Sequence, residues 1–259
     1  AKVEIEGGEQ GMKEESQPVL DHRTWPNSGM GRMNPDGSRG SCHACHIRHD
    51  FNPKLSRRPE NCGKCHMGPD HPQIEIYNES KHGVAFYANQ DRMALDKDGQ
   101  WVLGVDYSAA PTCATCHISA YKTPQGELVA NNHDVGARIS WTLRPEISKK
   151  INEVVFEDGY KVTYTDDKQL PEPGDTVDTV QKVVEDYKMV SRTVPRKVDH
   201  ILTWQQRRST MKGVCYSCHE ASHTDNFYQQ FDGLVNLYNQ KFAIPSKQLM
   251  ADLENDDLL

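Results

Sequence analysis

The apolar positions of this chain fall into a few short periodic runs separated by long polar stretches. The clearest run lies near the C-terminus. Phe227, Phe231, Leu234, Tyr238 and Phe242 sit at i, i+4, i+7, i+11 and i+15, which is one stripe of a helix. A helix is therefore predicted over Asp225 to Leu253, weakened by Gly233 and bent by Pro245. Its stripe reads as ordinary core or as a subunit contact. Val177, Val180, Val183 and Val184 also recur at helical spacing, so the chain reads as helical from about Thr176 onward. Gln73 to His82 reads as a further helix. Strand signals are few. Apolar alternation on both sides of Asp158-Gly159 predicts a surface hairpin within Lys150 to Leu170, ended by Pro171 and Pro173-Gly174. Short strands at Met93 to Leu95 and Trp101 to Val105 would flank a turn at Asp98-Gly99. Residues 1–20 are polar and read as a loose arm, and Trp25-Pro26, Asn34-Pro35 and Asp36-Gly37 mark an irregular approach up to residue 40. The pattern predicts a mainly α fold with little sheet. Its parts are an arm and loop at 1–40, a body at 41–220 and a C-terminal helix at 221–259 that offers a possible oligomer contact.

Composition makes the body unusual. Only 36% of the 259 residues are hydrophobic, and the mean hydropathy is −0.77. That is lean for a chain of this size, so an oily centre made by the polypeptide alone is not expected. The net charge of −7 comes without a basic patch, which argues against nucleic acid. An acidic balance suits a basic redox partner, although a solvated acidic surface is the commoner cause. No run approaches the length of a membrane-spanning helix.

The cysteines supply what the apolar residues lack. All eight fall in four copies of C-x-x-C-H, namely Cys42/Cys45-His46, Cys62/Cys65-His66, Cys113/Cys116-His117 and Cys215/Cys218-His219. Paired C-x-x-C units could hold zinc, and one alone could be a redox dithiol. Neither chemistry requires a histidine directly after the second cysteine, whereas attachment of a c-type haem does. Two thiols bond to the porphyrin and the histidine becomes an axial iron ligand. Four covalent haems would then form the core, with helices wrapped round them, and 41–220 becomes a tetrahaem-binding domain. Haem of this kind is attached outside the cytoplasm, so an extracytoplasmic location follows.

Histidine is in excess. His46, His66, His117 and His219 are the proximal ligands, which leaves eight of the twelve. His49, His82 and His133 are the favoured distal ligands, ahead of His22, His43, His200 and His223. His71 lies beside Asp70 between Pro69 and Pro72, two residues that fix the backbone. The pair suits proton transfer. It equally suits a turn in which Asp70 caps and His71 binds haem.

Longer strings carry a family resemblance. TWPNSGMGRMNPDGSRGSCHACH, PENCGKCHMGPDHPQIEIYNESKHG, APTCATCH and WQQRRSTMKGVCYSCH followed by NFYQQFDGLVNLYNQKFA resemble the C-terminal half of the hydroxylamine oxidoreductases. These are octahaem c cytochromes that include hydrazine dehydrogenase. The resemblance implies oxidation of a small nitrogen compound such as hydroxylamine or hydrazine, with electrons leaving along c-haems to a partner cytochrome. It implies a trimer, and a periplasmic or anammoxosome-type compartment. It assigns Asp70 and His71 as catalytic, and Tyr228, with Tyr238 second, as the residue that a neighbouring subunit's haem binds covalently. Only four motifs stand here, and none precedes Cys42. The chain is therefore expected to be part of a longer protein or to join a chain carrying further haems. The alternative is a tetrahaem electron carrier without a substrate site.

Overall fold

In the computed structural model, residues 2–3, 17–18, 44–46, 49, 51–69, 71–142, 147–185 and 188–255 are described. Most of the predicted N-terminal arm lies outside them. Two short strands from it, β1 (Lys2–Val3) and β2 (Gln17–Pro18), pair antiparallel.

Four short helices follow, α1 (Pro53–Ser56), α2 (Pro59–Gly63), α3 (Gln73–Glu79) and α4 (Lys81–Ala88). Each of the first two has proline in its first turn, where a missing N–H costs nothing. The predicted helix from Gln73 to His82 breaks at Ser80. Ser80 is extended, and its hydroxyl accepts the Gly83 amide at 3.1 Å, so it caps α4 instead of continuing α3. Gly83 is needed at this corner, because an added Cβ would fall 2.0 Å from the Tyr77 carbonyl oxygen.

Next comes a small sheet, β3 (Val102–Leu103), β4 (Ala120–Lys122) and β5 (Leu128–Val129), with the helix α5 (Cys113–His117) between its first two strands. The strand expected at Met93 to Leu95 is absent. A 3-10 turn at Gln90–Arg92 and a positive φ at Ala94 replace it. Gly99 supplies the positive φ of the predicted Asp98-Gly99 turn. Phe86, Met93, Leu95, Trp101, Leu103, Tyr107, Tyr121 and Val214 close into a buried cluster around α5. Trp101 stacks on Tyr107 at 3.8 Å, and its indole donates to the Met93 carbonyl.

The second half overturns the mainly α expectation. Strands β6 (Ile151–Phe156), β7 (Lys161–Thr165), β8 (Thr176–Glu185) and β9 (Lys188–Leu202) form an antiparallel sheet in the order β7-β6-β9-β8. The valines taken as helical are strand residues. Their spacing fits a helix only by ignoring the pleat, which puts Val177 and Val180 on opposite faces. Val177 packs on a core of Val154, Phe156, Tyr160 and Val198, whereas Val180 is exposed. Pairing with β9 over ten residue pairs decides in favour of strand. The Asp158-Gly159 hairpin is where the alternation places it, yet it is not superficial, because all six residues of β6 are buried between β7 and β9. The polypeptide thus has two apolar clusters of its own, contrary to the lean-core expectation.

Three helices complete the chain, α6 (Trp204–Tyr216), α7 (Ala221–Tyr238) and α8 (Ile244–Asn255). Thr203 and Gln206 form a reciprocal capping box that starts α6. The predicted long helix is real but interrupted by a π turn at Asn239–Ala243, just before Pro245, which has no N–H to continue the ladder. Its apolar stripe is not core here. Phe227, Leu234 and Phe242 are about 60% or more exposed, at 59%, 66% and 60%.

A polar cluster docks α7 on α6. Arg208 on α6 grips Asp232 with two hydrogen bonds of 2.6 and 2.7 Å, Trp141 adds one of 3.0 Å, and the Lys150 ammonium lies over the Trp204 ring. Burial opposes ionisation of Asp232, but the bonds from Arg208 and Trp141 outweigh it and hold the carboxyl below its ordinary 3.8. A lowered folded value stabilises the fold above the unfolded value and ceases to do so as pH falls through the folded one. Asp232→Asn should therefore cost about 2 kcal/mol at neutral pH, less than a fully buried pair because the carboxylate keeps 23% exposure. The loss should shrink as the pH drops below about 4. Thermal unfolding of both proteins across that range checks it, and an equal difference at every pH would refute the assignment.

Candidate functional site

Each described C-x-x-C-H segment is one helical turn. In α5 the side chains of Cys113, Cys116 and His117 stand at i, i+3 and i+4, so they share a face. At the end of α2 the Cys65 and His66 amides donate to the Cys62 carbonyl at 3.1 and 3.0 Å. At the end of α6 the Cys218 and His219 amides donate to the Cys215 carbonyl at 3.1 and 2.9 Å. Two thiols and an imidazole thus converge on one side of a single turn. In the first segment Cys45 and His46 are described, while Cys42 and His43 lie outside the described residues. The turn of α5 has its own brace. The Thr112 and Thr115 side chains cap each other's amides, and Tyr107 donates to the Thr115 hydroxyl at 2.8 Å.

This geometry discriminates among the chemistries open to a C-x-x-C pair. None of the seven described cysteines is paired in a disulfide. Among the described residues no three cysteines, histidines or carboxylates come together as a tetrahedral zinc site requires. A reactive dithiol needs a lowered thiol. Burial pushes Cys116 up to about 12 and raises Cys215 and Cys218 as well, whereas Cys113 is lowered by its neighbour Cys62. The second and third segments pack together through α2 and α5. What remains is the arrangement a c-type haem needs, two adjacent thiols and an imidazole facing the same way.

His117 has the surroundings an axial imidazole would need. It is half-buried, and desolvation holds it below its ordinary value. Its Nδ1–H donates to the Val135 carbonyl at 2.9 Å, which leaves Nε2 as the nitrogen that could coordinate an iron. The loop that brings Val135 there folds over α5. Asn132 donates its amide to the Ile118 carbonyl, and Arg138 reaches back to the Cys116 and Ser119 carbonyls, each at 2.8 Å. His46 stacks on Phe51 with ring centres 5.3 Å apart.

The candidate distal ligands separate. The His82 ring centre, at the start of α4, lies 6.0 Å from that of His219. Two imidazoles on opposite sides of one metal, each nitrogen about 2 Å from it, have ring centres about 6 Å apart. His223 stacks against His219 at 4.7 Å, too near for that role. His71 lies 6.3 Å from His66, but its Nε2 donates to the Cys65 carbonyl at 2.8 Å. His49 and His133 are on the surface, and so is His200, which bonds Asp199. His22 and Asp70 lie outside the described residues, so the Asp70–His71 pair is seen only at His71. The Tyr228 ring is turned toward its own chain, with Arg208 at 4.9 Å and Lys212 at 5.3 Å over its face, and burial raises its phenol above the ordinary value.

Sequence reasoning missed the residues that shape these turns. Thr112 and Thr115 could have been found, because a threonine three residues ahead of another is a capping signature. Arg138, Arg207 and Asp134 left no such signal, being charged residues in polar stretches that turn out to be buried.

Comparison with known proteins agrees with this geometry. Residues 30–167, just over half of the chain, match the family described as seven times multi-haem cytochrome CxxCH. An 88-residue stretch is 48% identical to a probable nitrite reductase–hydroxylamine oxidoreductase fusion protein of Kuenenia stuttgartiensis, covering 30% of this chain and 10% of that protein. Among solved structures, a hypothetical multiheme protein superposes with a TM-score of 0.58 at 25% identity, over 88% of this chain and 48% of the other. A reducing HAO-like protein complex of the same organism gives 0.51 at 25% identity, over 85% and 37%. The chain spans less than half the length of each. Among the described residues no helix is long and apolar enough to cross a membrane.

The brace of α5 is testable. Thr115→Val keeps the shape but leaves the buried Tyr107 hydroxyl and the Thr112 amide without their acceptor, which should cost about 2–3 kcal/mol. Chemical denaturation of the two proteins measures it, and a loss well under 1 kcal/mol would mean that the brace is dispensable.

Proposed function

The chain belongs to the multi-haem cytochrome CxxCH family, and from that premise we propose that it is the electron-carrying part of a hydroxylamine-oxidoreductase-like assembly. The cysteines of its four motifs would hold four haem c groups, with His46, His66, His117 and His219 as proximal ligands. Haem supplies one-electron exchange at its iron, and the polypeptide's task is to seat, orient and shield it. The observation that carries this reading is the 6.0 Å separation of the His82 and His219 rings. It suits an iron closed on both sides, which exchanges electrons and does not take up substrate. His49 and His133, both exposed, are the remaining distal candidates of the sequence.

Oxidation of hydroxylamine or hydrazine is the second reading, favoured by the name of the curated relative. In it Asp70 and His71 would accept protons and Tyr228 would bond to a neighbouring subunit's haem. The local contacts favour the carrier. Tyr228 faces α6 beneath two cations and not a haem-bearing turn of a neighbour. A substrate site then belongs to segments beyond this chain or to another chain. A partner cytochrome would receive the electrons in an extracytoplasmic compartment. The exposed stripe of α7 and α8 suits a homotrimer or contact with a chain carrying further haems.

Carbon monoxide binds ferrous haem only where a coordination position is open. The reduced native chain should take up none at the fourth motif, whereas His82→Ala should gain one binding haem with the covalent haem count unchanged. Uptake at that haem by the native protein would overturn the carrier reading.

A further inference from the structure

The loop that presents Val135 to His117 is held from two directions. Arg138 ties it to α5, the third motif's own helix. Arg207 ties it to α6, which ends in the fourth motif. The Arg207 guanidinium donates from Nη2 to the Gly136 carbonyl at 2.7 Å and from Nε to the Ile139 carbonyl at 2.6 Å. These two acceptors bracket the stretch that directly follows Val135. Arg207 is 3% exposed and lies 3.3 Å from Glu153 on β6. Lys161 on β7 bridges that same carboxylate, at 3.1 Å, to Asp134 at 3.0 Å. Asp134 precedes Val135, and its Oδ1 accepts the Gly136 amide at 2.9 Å. Val135 is therefore clamped on both sides by charged groups that themselves rest on the sheet.

Nothing in the apolar packing demands this. Taking four charges out of water is costly, and an uncharged cluster of similar volume would stabilise the sheet as well or better. What the charges accomplish is directional. They fix the backbone carbonyl that receives the His117 Nδ1–H, and the strength of that hydrogen bond sets the basicity of the opposite nitrogen. We propose that Arg207 is a positioning residue for the third axial imidazole, setting the reduction potential of the haem on Cys113 and Cys116 through the Val135 carbonyl. A consequence is that the third and fourth sites form one mechanical unit, because the clamp on His117 is carried by the helix that presents Cys215 and His219.

The inference rests on the haem reading above. Its test is spectroelectrochemical titration of the full, haem-loaded protein beside Arg207→Lys. Lysine keeps the charge but cannot fork to two carbonyls, so a shift reports geometry and not lost charge. A weaker bond to Val135 makes His117 less basic, which favours the ferrous state. One of the haem potentials should move upward while the others stay. The His117 Nδ1 proton, seen among the hyperfine-shifted resonances, should exchange with solvent faster than in the native protein, because its bond to the Val135 carbonyl opens more often. Should Arg207→Lys fail to fold, Arg207→Gln, whose amide can reach one carbonyl, is read by the same proton exchange. Glu157→Gln, which removes only the exposed pair with Lys197, serves as the control and should move no single potential. Unmoved potentials in a fully loaded Arg207→Lys protein, or a uniform shift of all of them, would overturn the proposal. Absence of haem from the Cys113–Cys116 peptide in the native protein would instead overturn the cytochrome reading itself.

Discussion

A peptide that winds around a flat cofactor in single turns leaves carbonyl groups with no helix to bond them, and buried carbonyls must find donors inside the protein. Here buried arginines meet that demand. Arg138 takes the carbonyls of Cys116 and Ser119 at the end of the third motif. Arg57 takes those of Leu95, Lys97 and Gly99 in the loop over the Trp101–Tyr107 stack. Arg207 takes those of Gly136 and Ile139. A guanidinium suits the task because it offers five donors in a rigid fork and stays charged when buried. Each of the three draws sequence-distant carbonyls to one point, and the loops have the shape they do because those points are fixed.

The two apolar clusters divide the remaining work. The first, built on Phe86, Met93, Trp101, Tyr107 and Tyr121, packs against α5 and receives Val214 of α6, so it sets the third and fourth motifs against one another. The second motif joins them where α2 packs on α5. Gly213 lies so near the Tyr121 ring that an added Cβ would sit 2.6 Å from it, which brings α6 in close to β4. The second cluster belongs to the four-stranded sheet. Its contribution to the site is indirect, because β6 and β7 supply Glu153 and Lys161 to the clamp over His117 and Asn152 caps the entry to α6.

The electron-carrier proposal rests on the approach of His82 to His219. His71 donates to the carbonyl of Cys65 in the chain's own backbone. The chain's family match places it among multihaem cytochromes, and it is similar to hydroxylamine-oxidoreductase-like proteins.

The sequence by itself determined the attachment points. Four copies of C-x-x-C-H use every cysteine, and the thiol–thiol–imidazole face follows from the helical turn alone, a local property of five residues. The C-terminal helix, the break near Pro245 and the Asp158-Gly159 hairpin were legible for the same reason, since periodicity and turn chemistry act over a few residues. Tertiary structure decided the rest. Val177, Val180, Val183 and Val184 satisfy a helical spacing as sequence, and only β9, up to 19 residues away in their register, makes them a strand. Which histidine meets which turn depends on α4 folding back on the end of α6, so that His82 reaches His219 across 137 positions. Arg138, Arg207, Asp134 and Glu153 look like surface charges in the chain. They are buried because each finds its partner on another element, and such pairings, made at long range and by geometry, leave no local pattern to read.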